Sequence, residues 1–134
     1  MKFSILSIHP QLCEAFFSEG LIQKARMKGL IQTESLNLRD FADPPHFRVD
    51  DKPYGGGAGM VLQCGPIVKA LRSAVDFENV ETRKKTRIVV LAAKGKIFNQ
   101  ETAQRFQKNY DHLVFISGRY EGIDERIAQF YADE

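Results

Sequence analysis

At 134 residues the chain is long enough for one domain with a core of its own and too short for two domains and a linker. Hydrophobic residues make up 43% and charged residues 27%, which excludes a disordered or fibrous chain, and 19 basic against 17 acidic side chains leave a net charge of +2, too little to argue for nucleic acid by itself. Cys13 and Cys64 lack metal-ligand spacing and are too few for a disulfide framework. The opening segment 1–10 is too short and too polar for a signal peptide or a membrane span, so a reducing, cytoplasmic setting is expected.

Residues 3–8 read as a short buried strand. Pro10 suits the first turn of a helix that carries Leu12, Phe16 and Phe17 and stops at Gly20. A second helical piece at 21–28 ends at Gly29, and 30–38, with Ile31, Thr33 and Ser35 alternating against polar neighbours, reads as a strand. From 39 to 60 periodicity disappears: Pro44, Pro45, Pro53 and four glycines between 55 and 59 describe a long loop, of the kind that is usually functional or disordered. Ile67, Val68, Ala70, Leu71, Ala74 and Val75 then recur at helical spacing after Pro66, and 77–85 reads as a polar surface connection.

The continuous apolar run 88–92 has the pattern of a strand covered on both faces. Gly95 breaks it, and Asn99 followed by Thr102, Ala103 and Phe106 marks a capped helix. A second buried strand at 113–116 leads into a last helix over 122–131 with Ile123, Ile127 and Phe130 on one face. Strand, helix, strand, helix with apolar strands predicts an α/β fold built on a parallel sheet. No repeat or low-complexity segment is visible.

Three segments carry candidate chemistry. In Asp50-Asp51-Lys52-Pro53-Tyr54-Gly55-Gly56-Gly57-Ala58-Gly59-Met60 the glycines free the backbone to approach a ligand. The loop is neither a Walker loop, since no Lys-Ser/Thr follows, nor a dinucleotide fingerprint, since Leu62 stands in place of a third glycine. A plain hinge or lid explains it about as well as a ligand loop, with Tyr54 and the acidic pair favouring a planar ligand. In Gly118-Arg119-Tyr120-Glu121-Gly122-Ile123-Asp124-Glu125-Arg126, at the end of a buried strand, Arg119 offers a fork of donors, and Glu121 and Asp124 lie near the start of a helix. A helix cap with surface ion pairs is the plainer alternative. Leu91-Ala92-Ala93-Lys94-Gly95 also leaves the carboxyl end of a strand, and if the two strands are neighbours both loops line one crevice. His46 sits in the long loop and is a weaker candidate, while His9 and His112 flank strands and read as structural.

Those segments in this order resemble the bacterial tRNA (guanine-N1)-methyltransferase family of the knotted SPOUT superfamily, over essentially all 134 residues. Val-Asp-Asp-Lys-Pro-Tyr-Gly-Gly-Gly and Gly-Arg-Tyr-Glu-Gly-Ile-Asp-Glu-Arg carry the likeness, with an opening strand that ends in His-Pro and with Arg39-Asp40-Phe41. The resemblance implies a parallel-sheet SPOUT-type α/β domain with a trefoil knot, S-adenosylmethionine as methyl donor, tRNA as substrate, and a homodimer with no membrane association. It implies transfer of a methyl group to N1 of the guanine 3′ of the anticodon.

By position, Leu91, Ala92, Ala93 and Gly95, then Gly118, Tyr120 and Gly122, fall in its first two cofactor loops. Arg119 and Glu121 take the place of groups that orient the reacting atoms, and His46, Asp50, Tyr54, Gly55, Gly56, Gly57 and Gly59 fall on the substrate side. Where the family commonly reads Ser-Pro-Gln-Gly, this chain has Ala92-Ala93-Lys94-Gly95, which changes the side chains of that loop.

The same resemblance makes residues 1–134 the N-terminal, cofactor-binding portion, with the third cofactor loop, the proton-accepting aspartate and the tRNA-binding domain beyond it. The expectation is then an incomplete knot, weak cofactor binding and no activity in this form. Magnesium is left open by the residues. Rival readings are a noncatalytic RNA-binding module with Lys84, Lys85, Arg87 and Lys94 facing phosphates, a SPOUT enzyme acting on ribosomal RNA, and a structural dimer.

Overall fold

The apolar runs become neighbouring parallel strands, and the polar segments between them become helices and loops. In the computed structural model, which describes all 134 residues, the order is β1 (Lys2–Ser7), α1 (Pro10–Phe17), α2 (Gly20–Met27), β2 (Gln32–Asn37) and a 3₁₀ turn (Leu38–Phe41). There follow β3 (Asp50–Asp51), β4 (Val61–Leu62), α3 (Cys64–Ala74), α4 (Val80–Lys84), β5 (Thr86–Leu91), α5 (Gln100–Asn109), β6 (His112–Ser117) and α6 (Glu125–Phe130). Four strands form one all-parallel sheet in the order β2-β1-β6-β5, with Ile5 opposite both Ser35 and Phe115, and Phe115 opposite Val89.

Both faces of that sheet are covered, which is why β5 and β6 read as unbroken apolar runs. On one face Leu6, Ile88, Val114 and Ile116 pack with Ile67, Ala70 and Leu71 of α3 and Ile127 of α6. On the other, Val89 and Leu113 pack with Phe106 of α5, whose first turn is capped by Asn99 accepting from Thr102 N–H at 2.9 Å. β1 is flanked by β2 on one side and β6 on the other, so the chain changes direction across the sheet there. That arrangement leaves the carboxyl ends of β1, β6 and β5 at one end, the usual place for a ligand crevice.

Several expectations need correction. The last helix begins at Glu125, not at 122, because Gly122 takes φ +138° and Ile123 bridges to Leu62 before Asp124 caps the helix. Phe130 is 73% exposed rather than on the buried face with Ile127. The connection 77–85 contains a short helix, α4, started by Asn79 accepting from Thr82 N–H. α3 starts at Cys64, which puts Pro66 in its first turn, where a missing N–H has no intrahelical partner to lose.

The long loop 39–60 is closed at its base by the antiparallel β3–β4 pair, Asp50 opposite Leu62 and Asp51 opposite Val61. His112 is structural, as expected. Its Nε2 lies 2.7 Å from the Oγ of fully buried Ser4, which itself donates to Glu34 at 2.7 Å, a bridge across three strands.

Candidate active-site crevice

Because β5 and β6 are adjacent, the loops that leave them lie side by side, and the crevice expected from sequence is present. It has a volume of about 470 Å³, and Leu91, Ala92, Ala93, Gly118, Arg119, Tyr120, Glu121 and Gly122 all line it. Gly95 stands just outside, closing the β5 loop through a hydrogen bond from its N–H to the Ala92 carbonyl at 2.9 Å. Tyr120 has φ +61°, a left-handed conformation unusual for a bulky residue and one that concentrates at functional sites.

The glycine-rich loop reaches this crevice through Gly59. Gly59 has φ +86°, and a Cβ built there would overlap the Glu121 side chain, so the two residues meet only because one is glycine. Backbone bonds fix the meeting: Glu121 N–H to Met60 C=O at 3.0 Å, Leu62 N–H to Gly122 C=O at 2.9 Å, and Asp124 N–H to Leu62 C=O at 3.0 Å. The two glycine motifs, some sixty residues apart in sequence, are one structural unit.

Asp124 and Arg126 play a part that sequence spacing did not assign. Arg126 grips Asp124 with a bidentate fork, Nε to Oδ1 at 3.0 Å and Nη2 to Oδ2 at 2.7 Å, while Asp124 Oδ1 accepts the Arg126 N–H as the cap of α6. The Arg126 guanidinium holds the Asp124 carboxyl below the usual carboxylate range and is itself held more firmly protonated by it. The guanidinium also sits 5.3 Å from the centroid of the Tyr54 ring, which is otherwise 86% exposed. Tyr54, Pro53, Ile123 and Arg126 border a second cavity of about 560 Å³ beside the crevice. The helix-cap reading of 118–126 is thus correct for Asp124, while Glu121 is taken up by the glycine loop. A signal for Arg126 existed in its two-residue spacing from a capping aspartate, but its contact with Tyr54 is tertiary.

Gly55, Gly56 and Gly57 lie in the same exposed loop as Tyr54. His46 sits exposed in a turn ahead of β3, and Asp50 lies in β3, where its carbonyl accepts from Gln63 Nε2 at 3.1 Å; neither lines the crevice or the Tyr54 cavity. A larger open groove of about 1120 Å³ along the outer edge of β5 contains neither glycine motif. No three His, Cys, Asp or Glu side chains cluster as a metal site. No helix is long and apolar enough to cross a membrane.

Three members of the candidate phosphate-facing patch are paired with carboxylates, Lys84 with Glu81 at 3.0 Å, Arg87 with Glu134 at 2.8 Å and Lys94 with Glu125, while Lys85 is exposed and outside any ion pair, so the noncatalytic RNA-binding reading is not favoured.

A family model described as tRNA (Guanine-1)-methyltransferase TrmD matches residues 1–134. The chain belongs to the tRNA (guanine-1)-methyltransferase family. Among its relatives in that family, the tRNA (guanine-N(1)-)-methyltransferase of Desulfatibacillum aliphaticivorans is 44% identical over all 134 residues, which cover 49% of that protein. The Enterococcus faecalis enzyme of the same name is 42% identical over the whole chain and 53% of its own length. In three dimensions the chain is similar to the tRNA (m1G37) methyltransferase of Aquifex aeolicus, with a TM-score of 0.84 and 33% identity across the whole chain and 57% of that protein. The chain thus spans about half the length of the curated relatives it matches.

Proposed function

We propose that residues 1–134 form the methyl-donor side of a tRNA (guanine-N1)-methyltransferase, an N-terminal S-adenosylmethionine-binding domain of SPOUT type working in the cytoplasm as a homodimer. The observation that carries this reading is the junction of Gly59 with Glu121, which sets the glycine-rich loop that carries Tyr54 against the crevice between β5 and β6. The crevice suits the cofactor chemically. Val90, Leu91, Ala92, Ile123 and Ala128 give it apolar walls for a planar heterocycle, while Arg119 and Glu121 give polar groups at one place. When bound, S-adenosylmethionine supplies an electrophilic methyl group on a sulfonium.

Guanine N1 carries a proton at neutral pH, so methylation there requires a carboxylate to accept that proton and a donor to stabilise charge developing at O6. Arg119 fills the donor role, and Glu121, held by the Gly59 contact, orients the base edge. Tyr54, backed by the Arg126 guanidinium, provides a stacking face for a base turned out of the anticodon loop. The homodimer draws support from Leu12 and Phe16, which share a face of α1 by their four-residue spacing and are 72% and 65% exposed.

In a chain of its relatives' full length, Arg119→Ala and Glu121→Gln each lower methyl transfer to a tRNA transcript at least 100-fold, about 2.7 kcal/mol in the barrier. Transfer of labelled methyl groups measures this, and wild-type turnover by either variant removes that residue from the site.

A further inference from the structure

The loop 53–62 is fastened to one short stretch of chain, 121–126, in two places and by two kinds of contact. Its base is held by backbone bonds, Glu121 N–H to Met60 C=O and Asp124 N–H to Leu62 C=O, each at 3.0 Å. Its tip is held by a side chain. Tyr54 stands at the corner of a turn closed by Gly56 N–H on Pro53 C=O at 3.2 Å, in which Gly55 takes φ +87°. That turn sets the backbone locally, while Gly55, Gly56 and Gly57 offer no side chain to anchor it. The Tyr54 ring is 86% exposed, and the guanidinium of Arg126 stands over it.

Arg126 is in turn oriented by Asp124. That carboxylate has only 9% of its side chain exposed and is fixed in place by its own N–H bond to Leu62 and by capping α6. Nε and Nη2 of Arg126 engage its two oxygens, which sets the plane of the guanidinium as well as its position and leaves a face of the group to the ring. A lysine at 126 could neutralise Asp124 but would present no plane.

We infer that Asp124 and Arg126 are positioning residues, whose ion pair holds the Tyr54 ring, and with it the tip of the glycine loop, where a base turned out of RNA can stack on it. This rests on the reading of Tyr54 as the stacking face for the target base. Neither residue of the pair needs to touch that base. An exposed cation–π contact favours the held position about two- to fivefold, and the apparent affinity for a base that requires this position rises by up to the same factor. The effect falls on RNA binding and not on the cofactor crevice, whose lining includes neither Tyr54 nor Arg126.

Two measurements test the inference. In the 134-residue chain the Arg126 Nε–Hε NMR resonance is expected to be displaced by the Tyr54 ring current and to lose that displacement in Tyr54→Leu. In a chain of its relatives' full length, Arg126→Lys is expected to raise the KM for a tRNA transcript about two- to fivefold, with kcat and the KM for S-adenosylmethionine within about 1.5-fold of the parent. Tyr54→Leu raises the KM for tRNA further, because it removes the stacking face itself. Added to Tyr54→Leu, Arg126→Lys then has no additional effect, whereas a merely structural role would cost the same in both backgrounds.

An Arg126 resonance unmoved by Tyr54→Leu, or an Arg126→Lys loss that persists in the Tyr54→Leu background, overturns the positioning role and leaves Tyr54 as the stacking face. A lower KM for tRNA in Arg126→Lys overturns it too, since the contact would then bar the base. If Tyr54→Leu leaves that KM unchanged, the stacking reading falls and the positioning role with it. Tyr54 is exposed, so its substitution keeps the fold, and the NMR measurement decides even where Arg126→Lys fails to fold.

Discussion

Gly59 and Glu121 compete for one space, and the competition is resolved only by the absence of a side chain at 59. Gly59→Ala meets two penalties, a φ of +86° and overlap with Glu121, and should cost about 1–3 kcal/mol while displacing Glu121. Urea unfolding measures the loss, and shifts in the amides of 118–124 report the displacement; a variant as stable as the parent, with unmoved amides, would show that the two residues do not meet.

His112 carries a second residue-level consequence. Burial, and then the nearby Lys2 charge, push its pKa down to about 4, against the smaller opposing pull of Glu34. Since the Ser4 hydroxyl proton goes to Glu34, the neutral ring bonds Ser4 through Nε2–H. Its folded pKa lies below the unfolded value near 6.5, so the unfolded chain binds more protons between the two. The stability it contributes is complete above pH 6.5 and is lost as pH falls toward 4. Discounted for a ring only half buried, the effect is about 1 kcal/mol. Unfolding free energies at pH 7.5 and 4.5 should differ less in His112→Gln than in the parent by that amount, and an equal pH dependence would refute it.

Among the elements, β5 is held from outside as well as within. Asp133 accepts from Ile88 N–H at 2.8 Å through Oδ2 and from Arg83 at 2.6 Å through Oδ1. Glu134 takes both Arg87 and Arg105, and its backbone bonds Ile88 and Val90 on either side of Val89, a parallel step beside the strand. Asp133→Ala leaves the Ile88 N–H and Arg83 without this acceptor and should destabilise by about 1–3 kcal/mol. Asp133→Asn, which keeps an acceptor for Ile88, should lose less, and equal losses would assign the effect to charge alone.

The same scale explains what sequence patterns reached. β5, β6 and α5 were legible because their apolar runs and the Asn99 cap are local signals. The start of α6 was not, because Ile123 is drawn into a bridge with Leu62, a strand sixty residues upstream that has only two residues and no periodicity to announce it.

For the whole molecule, the exposed apolar face of α1 is one feature that a single copy leaves unexplained. If Leu12 and Phe16 form the contact between copies, sedimentation should give twice the 15.2 kDa chain mass, and Phe16→Glu should return the monomer without loss of the folded spectrum. A parent that sediments as a monomer at every concentration would refute the proposed dimer.

The residues by themselves determined the class of the fold, the two glycine motifs and the family, since apolar periodicity and motif spelling are properties of neighbours along the chain. Only the tertiary structure decided which of those residues act together. The parallel order β2-β1-β6-β5 brings the β5 and β6 loops to one crevice, and the β3–β4 pair returns Gly59 to Glu121. Arg126 is turned onto Tyr54, and Lys94 is paired with Glu125 across the opening. Each of these contacts joins residues far apart in sequence, from Leu91 and Ser117 at the ends of β5 and β6 to Tyr54 and Arg126, and their geometry is set by sheet order and backbone hydrogen bonds that no local pattern encodes.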